Sequence, residues 1–299
     1  MRDEFSFGQI QSVEFCVNLT AGDARTSYLV PTDQSVQDAL TQVLNATLAE
    51  IEPEDGDWAP YELSEKYAAR EALGAVLDTE EMAVIHALYA DEGWDMNSTA
   101  LADPTRLVYY FGVFRDDQDR KLLGVRQATQ FKGAFKGRFL SVIDDTLRMV
   151  PDRVFKLDNQ FDFLITASHI YVLHPTAFER IAELEAFASA KAREMTVALG
   201  ATVKFLDFTG LAGYVGKHKR AAKLVAALNA RGDLSAIKRS MFCKAADETG
   251  VELEKAGRKM VPRKGSEIGC LELLDDRRYT TTLKPGTKPA FVASSRRQI

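Results

Sequence analysis

Cysteine is scarce in this chain. There are three, Cys16, Cys243 and Cys270, far apart and without a Cys-x-x-Cys pair. That pattern argues against a disulfide framework or a zinc–thiolate site and for a reducing compartment. Histidine is nearly as rare, with four residues that do not cluster at metal-binding spacing. His169 and His174 lie five positions apart along an expected strand, so they face opposite sides. Long apolar runs are missing too, and none approaches the roughly 18–20 residues of a membrane span. The opening MRDEFSFGQIQ has no apolar secretion-signal core. The expectation is a cytoplasmic chain, in which the Asn-x-Ser/Thr triplets at Asn18, Asn45 and Asn97 have no meaning for glycosylation.

Catalytic constellations are also lacking. Gly210-x-x-Gly213-x-x-Gly216-Lys217 looks like a phosphate loop only superficially. The required glycine and Ser/Thr positions hold Leu211 and His218. Asp158, Asp162 and Glu179, or Asp207, could be imagined in a metal-dependent nuclease, but such sites need carboxylates converging on cations, usually with a lysine on the same strand. The run Ile170–Leu173 brings neither. Thr176 and Glu179 have capping-box spacing, and Asp158 suits a turn. Asp162 sits between Phe161 and Phe163 and should point to the opposite, solvent-exposed face. The acidic Glu52–Asp57 segment lacks the ligand pattern of a calcium loop. No metal and no cofactor are expected.

What is abundant is charge, unevenly distributed. Residues 1–110 hold 5 Lys+Arg against 21 Asp+Glu, whereas residues 111–299 hold 33 against 22. The last 89 residues alone carry 19 against 9. Such asymmetry points to an anionic partner for the basic half, unless the two halves pair with each other or across a dimer. The clusters are Lys132/Lys136/Arg138, Lys217/Lys219/Arg220/Lys223, Lys238/Arg239/Lys244, Arg258/Lys259/Arg263/Lys264 and Arg277/Arg278/Arg296/Arg297. Together with Tyr214, Phe242 and Tyr279 they make a candidate nucleic-acid surface, because cations that neutralise phosphates give affinity without reading sequence.

With 46% hydrophobic residues the chain can build a core, and its patterning predicts an α+β fold. Two N-terminal strands lead into a helix over 33–51, followed by helices over 62–77 and 80–90. A polar loop ending near Pro104 divides an acidic α/β domain, 1–104, from a second domain, 105–299. The latter divides into an antiparallel meander sheet (105–174), helices (175–250) and a basic C-terminal β-hairpin (251–299). Residues 107–114 are almost continuously apolar, as an interior strand requires. One helix is predicted from Pro175 to a stop at Gly200. Basic helices follow, one opening at 217–220 and another capped by Ser235 with Ile237, Met241 and Ala245 inward. The terminal strands are predicted at Ile268–Leu274 and Ala290–Ser294.

The segment RVFKLDNQFDFLITASHIYVLHPTAFERI, from Arg153, carries the order FxLDxxFDF, an apolar hairpin strand, a small polar turn and Phe178-Glu179 in an opening helix. It resembles the KwaB-like family of the Kiwa antiphage defence system. The ending, LLDDRRYTTTL followed by a strand and SRRQI, is similar to how that family ends. The resemblance spans roughly residues 105–299. It implies an antiphage component that binds DNA without cutting it and obstructs phage replication or transcription. It further implies a membrane-embedded partner, KwaA, recruitment to the inner face of the membrane and a homodimer. Two other readings stay open: a metal-dependent nuclease, and a protein-interaction module that binds no nucleic acid.

Overall fold

A computed structural model describes residues 1, 3–22, 24–51, 58–63, 65, 67, 73–128, 140–143, 146–149, 155–282 and 288–294. The chain divides into two compact units, Met1–Pro60 with Ala69–Ala182, and Tyr61–Ala68 with Glu183–Ile299. The fold is α+β, as the patterning implies.

The first unit is built on one eight-stranded sheet. Its strands are β1 (Ile10–Ala21), β2 (Ala24–Val30), β3 (Ala59–Pro60), β4 (Leu73–Val76), β5 (Leu107–Asp116), β6 (Lys121–Gln127), β9 (Phe163–Ile165) and β10 (His169–Val172), in the spatial order β2-β1-β5-β6-β9-β10-β4-β3. All neighbours are antiparallel except β3 and β4. Strands from both sides of residue 104 therefore share one sheet, because β1 pairs with β5 along most of its length. The loop near Pro104 is a connection inside this unit. β7 (Leu140–Ile143) and β8 (Thr146–Met149) were expected to continue the meander, and among the described residues they pair with each other as a separate two-stranded sheet.

Strand β5 is interior on both faces, which explains its unbroken apolar run. Helix α1 (Gln34–Ile51) buries Leu40, Val43, Leu44 and Ile51 in the core that holds Phe15, Tyr110, Phe114 and Phe161. Across the sheet, α3 (Pro175–Ile181) lays Phe178 edge-on against Phe163, ring centroids 5.2 Å apart. Gly112 and Gly124 sit opposite each other on β5 and β6. A Cβ on Gly124 would meet the Phe161 ring at 2.5 Å, so the glycine pair makes the slot into which that ring packs. The Phe161 N–H donates to Thr47 Oγ1 at 2.8 Å and ties the slot to α1.

Three expectations change in this unit. Residues 73–76, placed in a helix over 62–77, form β4, because β10 offers an edge that a strand can pair with. Helix α2 (Ala83–Ala90) follows a short 3-10 turn, as the pattern implied. The capping box at Thr176 is not formed: His174 is the N-cap of α3, Pro175 opens the helix, and no side chain makes the cap bond. The acidic segment 52–57 lies outside the described residues.

The second unit is mostly helical: α4 (Leu184–Thr202), α5 (Thr209–Val215), α6 (Lys219–Ala230), α7 (Arg239–Thr249) and α8 (Glu267–Leu274). Ala188, Ala192 and Thr196 recur every fourth residue on α4 and are buried; α6 packs on α4 with Ala221, Ala222, Leu224, Val225 and Leu228 buried in turn. Small residues at that spacing let helices approach closely. The expected single helix over 175–199 breaks after Ala182, where Glu183 adopts φ 56° without a glycine or proline to mark it. Gly200 does not stop α4, which runs on to Thr202.

The C-terminal third differs most from expectation. The stretch 268–274 is helix α8 and not a strand, with residues 269–274 all buried. A short apolar run of this kind has no period that separates a buried helix from a buried strand. The single terminal hairpin becomes two: β11 (Leu253–Ala256) with β12 (Lys259–Pro262), and β13 (Arg278–Thr280) with β14 (Ala290–Val292). In α7 the inward residues are Phe242, Ala246 and Thr249, one position on from the predicted set, and Met241 is 66% exposed. Lys238, not Ser235, is its N-cap.

Candidate nucleic-acid interface

The acidic residues that could have made a nuclease are engaged elsewhere. Asp162 was expected on an exposed face, but it is 3% exposed. Its Oδ1 accepts from Arg126 Nη1 at 2.6 Å and lies 3.0 Å from His174 Nδ1, and its Oδ2 accepts the Gln127 N–H at 2.6 Å. Its main chain joins the same knot: its carbonyl accepts the N–H groups of Leu173 and His174, both at 2.9 Å. A buried carboxylate is costly unless paired and hydrogen-bonded, and this one is both. Arg126 also reaches Asp158 Oδ2 at 3.4 Å, and Lys156 lies 3.2 Å from Asp158 Oδ1. The Asp158 N–H donates to the Tyr110 hydroxyl at 2.9 Å, and burial pushes the Tyr110 phenol well above its ordinary pKa. The result is a closed polar network within the sheet unit. Asp207 belongs to the other unit and accepts the Thr209 N–H at 3.0 Å at the start of α5; that bond lowers its carboxyl pKa. Among the described residues no group of three His, Cys, Asp or Glu could hold a metal ion. Two of the three thiols are buried: burial pushes Cys270 up to about 12 and raises Cys16 further.

The glycine-rich 210–216 stretch is helix α5 over most of its length, so it forms no loop that could wrap a phosphate.

The predicted basic residues separate into two populations. Most of the described arginines are engaged by carboxylates or carbonyls of the fold, at the surface for Arg220 and Arg263 and in the interior for Arg277. Arg277 is 5% exposed; Nε donates to Asp275 at 2.6 Å, Nη2 to Glu65 at 2.8 Å and Nη1 to the Ser294 carbonyl at 2.6 Å. Arg220 and Arg278 clamp the buried Glu272 from two sides, at 2.5 and 2.9 Å. Arg263 pairs with Glu252 and Glu254. Arg239 donates to the Arg258 carbonyl at 3.1 Å and to Met260 Sδ at 3.2 Å. Lys219 is ion-paired to Glu185 at 2.5 Å, which lowers that carboxyl's pKa. Lys223 lies near the same carboxylate. A planar guanidinium suits such fixed, forked contacts better than an ammonium does.

The remaining cations point outward. Lys217, Lys238, Lys244, Arg258, Lys259 and Lys264 are exposed, and among the described residues none is held in an ion pair. Four cations lie on segments that hydrogen bonds join. The Arg239–Arg258 bond brings the start of α7 onto the turn of the β11–β12 hairpin, which places Lys238 beside Arg258 and Lys259. The Met260 N–H donates to the Phe205 carbonyl at 2.8 Å, and the Asp207 N–H to the Met260 carbonyl at 2.8 Å. These bonds bring the exposed Lys204, absent from the predicted set, to the same place. Lys204 was missed because it stands alone in sequence between Val203 and Phe205. Lys217 lies elsewhere, at the turn between α5 and α6, beside Tyr214 and His218, which stack with centroids 4.0 Å apart. Phe242 is buried and unavailable for stacking. Lys132, Lys136, Arg138, Arg296 and Arg297 lie outside the described residues.

No helix among the described residues is long and apolar enough to cross a membrane. Comparison with curated proteins and with solved structures finds no match to this chain. Residues 108–284, more than half of the chain and including both the Asp162 network and the cationic surface, match the family described as Kiwa protein KwaB-like, and the chain belongs to that family.

Proposed function

We propose that this protein is the DNA-binding component of a Kiwa antiphage system, holding DNA without cutting it and so obstructing phage replication or transcription. Family membership supports the defence role. The observation that carries DNA binding is the sorting of the basic residues. The second unit pairs Lys219, Arg220, Arg263, Arg277 and Arg278 with carboxylates and leaves Lys204, Lys238, Arg258 and Lys259 exposed on the joined segments of the α7–hairpin junction, outside any ion pair among the described residues. Lys217, Lys244 and Lys264 extend the cationic surface, and Lys132, Lys136, Arg138, Arg296 and Arg297 are assigned to it by sequence. Lys219, Arg220, Lys223, Arg239, Arg263, Arg277 and Arg278, assigned to it by sequence as well, are engaged by partners within the unit. A binding role without cleavage accords with the closed state of the Asp158–Asp162 network. The partnership with a membrane protein, KwaA, recruitment to the inner membrane face from the cytoplasm, and a homodimeric state complete the proposal by family analogy.

The test is a gel-shift titration of a duplex against salt. Each phosphate contact contributes about 0.9 to the slope of log affinity against log salt, so four contacts give a slope of about −4. Neutralising Lys204, Lys238, Arg258 and Lys259 together with glutamine should remove most of it. A duplex that does not bind at low salt, or a slope unchanged in the quadruple variant, would refute the reading.

A further inference from the structure

The β13–β14 hairpin carries a feature that duplex binding does not use. Tyr279 and Phe291 are direct cross-strand partners, and their rings stack with centroids 5.7 Å apart and planes 24° from parallel. The alternation of the strand sends Arg278 inward to Glu272 and Tyr279 outward. Tyr279 is 50% and Phe291 43% exposed. Two large rings on one outer face are unusual for a two-stranded ribbon whose inner face already has a partner in α7. A cross-strand aromatic pair steadies a hairpin, but that role does not require half of each ring to stay in water.

We infer that Tyr279 and Phe291 form a stacking platform for the bases of single-stranded nucleic acid. This rests on the nucleic-acid reading above and adds the class of strand that the second unit takes. The choice of a nucleic acid over an apolar protein surface follows from charge. The platform lies in the segment with 19 basic against 9 acidic residues. Lys288, two residues before β14, is held 3.2 Å from Glu248 on α7. Lys244, one helical turn before Glu248 and on the same stripe of α7, is exposed and unpaired. Lys244 therefore adds an exposed ammonium to the helix that packs on this hairpin. Every base has a π-face, so such a platform is tolerant of sequence, whereas the stacked bases of an intact duplex cannot reach it.

The experiment compares a labelled oligothymidylate of about 15 nucleotides with a duplex of equal length, by fluorescence anisotropy. Tyr279→Ala should weaken single-strand binding about tenfold and leave the duplex within twofold. Tyr279→Phe should be near wild type. Tyr279→Leu, which keeps apolar bulk but no ring, should behave as alanine. Equal losses on both probes, or full affinity in the leucine variant, would overturn the inference. Should the alanine variant unfold the hairpin, photocrosslinking of a 5-iodouracil strand to the wild-type protein decides: a crosslink at Tyr279 or Phe291 supports the platform, and crosslinks confined to other residues overturn it. Failure of both probes to bind wild-type protein would instead defeat the nucleic-acid reading itself.

Discussion

The two units treat charge in opposite ways. In the sheet unit, Arg126 is consumed by Asp158 and Asp162, Lys121 by Glu92 at 2.6 Å and by the Tyr89 ring 4.8 Å away, and Arg120 by Asp116 at 2.8 Å. In the helical unit the arginines do the same inner work while several lysines remain outside. The difference is one of availability. A buried ion pair specifies a structure and is costly to break, whereas an exposed lysine contributes little to stability and keeps its charge for a partner. Net charge alone does not separate these roles; geometry does.

The largest expected effect tests the inner population. Asp162→Ala leaves the mostly buried Arg126 guanidinium with only the longer 3.4 Å contact to Asp158 and the Gln127 N–H without its acceptor, and should cost about 3 kcal/mol. Arg277→Met should do the same in the other unit by removing the guanidinium that lies 2.6 Å from Asp275 and 2.8 Å from Glu65. Urea midpoints measure both. Neither should change the salt slope of DNA binding under conditions where the variant is folded. A slope lowered by Arg277→Met would mean that this residue reaches phosphate after all. The outer population should behave conversely. Lys238→Gln and Lys259→Gln should each lower the slope by about 0.9 and shift stability by less than about 0.5 kcal/mol.

A smaller effect contrasts two glycines. Gly124→Ala drives a methyl into the fully buried Phe161 ring and should destabilise by about 1–3 kcal/mol. Gly213→Ala, within α5, meets open space and should stabilise by about 0.5–1 kcal/mol. Equal effects from the two would show that the Gly112–Gly124 slot is not tightly filled. Thermal unfolding measures both.

The contrast also marks what could be read from the sequence. Period-two alternation and the apolar run 107–114 located β5 and its neighbours, because a strand buried on both faces writes its burial directly into composition. The helix over 33–51 was visible through its 3.6-residue stripe. Helix α8 was not visible, since a fully buried segment carries no period. Strand β4 was not either, since its state depends on the edge that a distant strand offers. The basic clusters were legible as clusters, but their division was not. Arg277 and Arg278 look like Lys238 and Lys259 in sequence until Asp275 and Glu272 are placed beside them. Asp162, between two phenylalanines, was expected to face solvent; its partners Arg126 and His174 are 36 and 12 residues away along the chain, too distant for local spacing to reveal.

The smallest effect concerns acid, and it belongs to the sheet unit alone. The N-terminal segment is tied down by two carboxylates. Burial would raise the Glu4 pKa, but hydrogen bonds from Ser168 and Thr166 and the contact with His169 Nδ1 at 3.0 Å outweigh it, and the net shift is downward from the usual value near 4.5. Asp116 is likewise lowered: burial opposes ionisation, but the Ser6, Gln118 and Arg120 N–H groups, each at 2.9 Å, and the Arg120 side chain prevail. A carboxyl whose folded pKa is depressed stabilises the fold above its unfolded value, and that contribution is lost as pH falls toward the folded one. Wild-type stability should therefore drop as pH falls from about 5 toward 3, with about 1 kcal/mol attached to each tie. Asp116→Asn and Glu4→Gln should be less stable than wild type at neutral pH and converge with it in acid, as read from urea midpoints at each pH. If the gap stays constant with pH, the loss comes from packing and not from the carboxylates' charge.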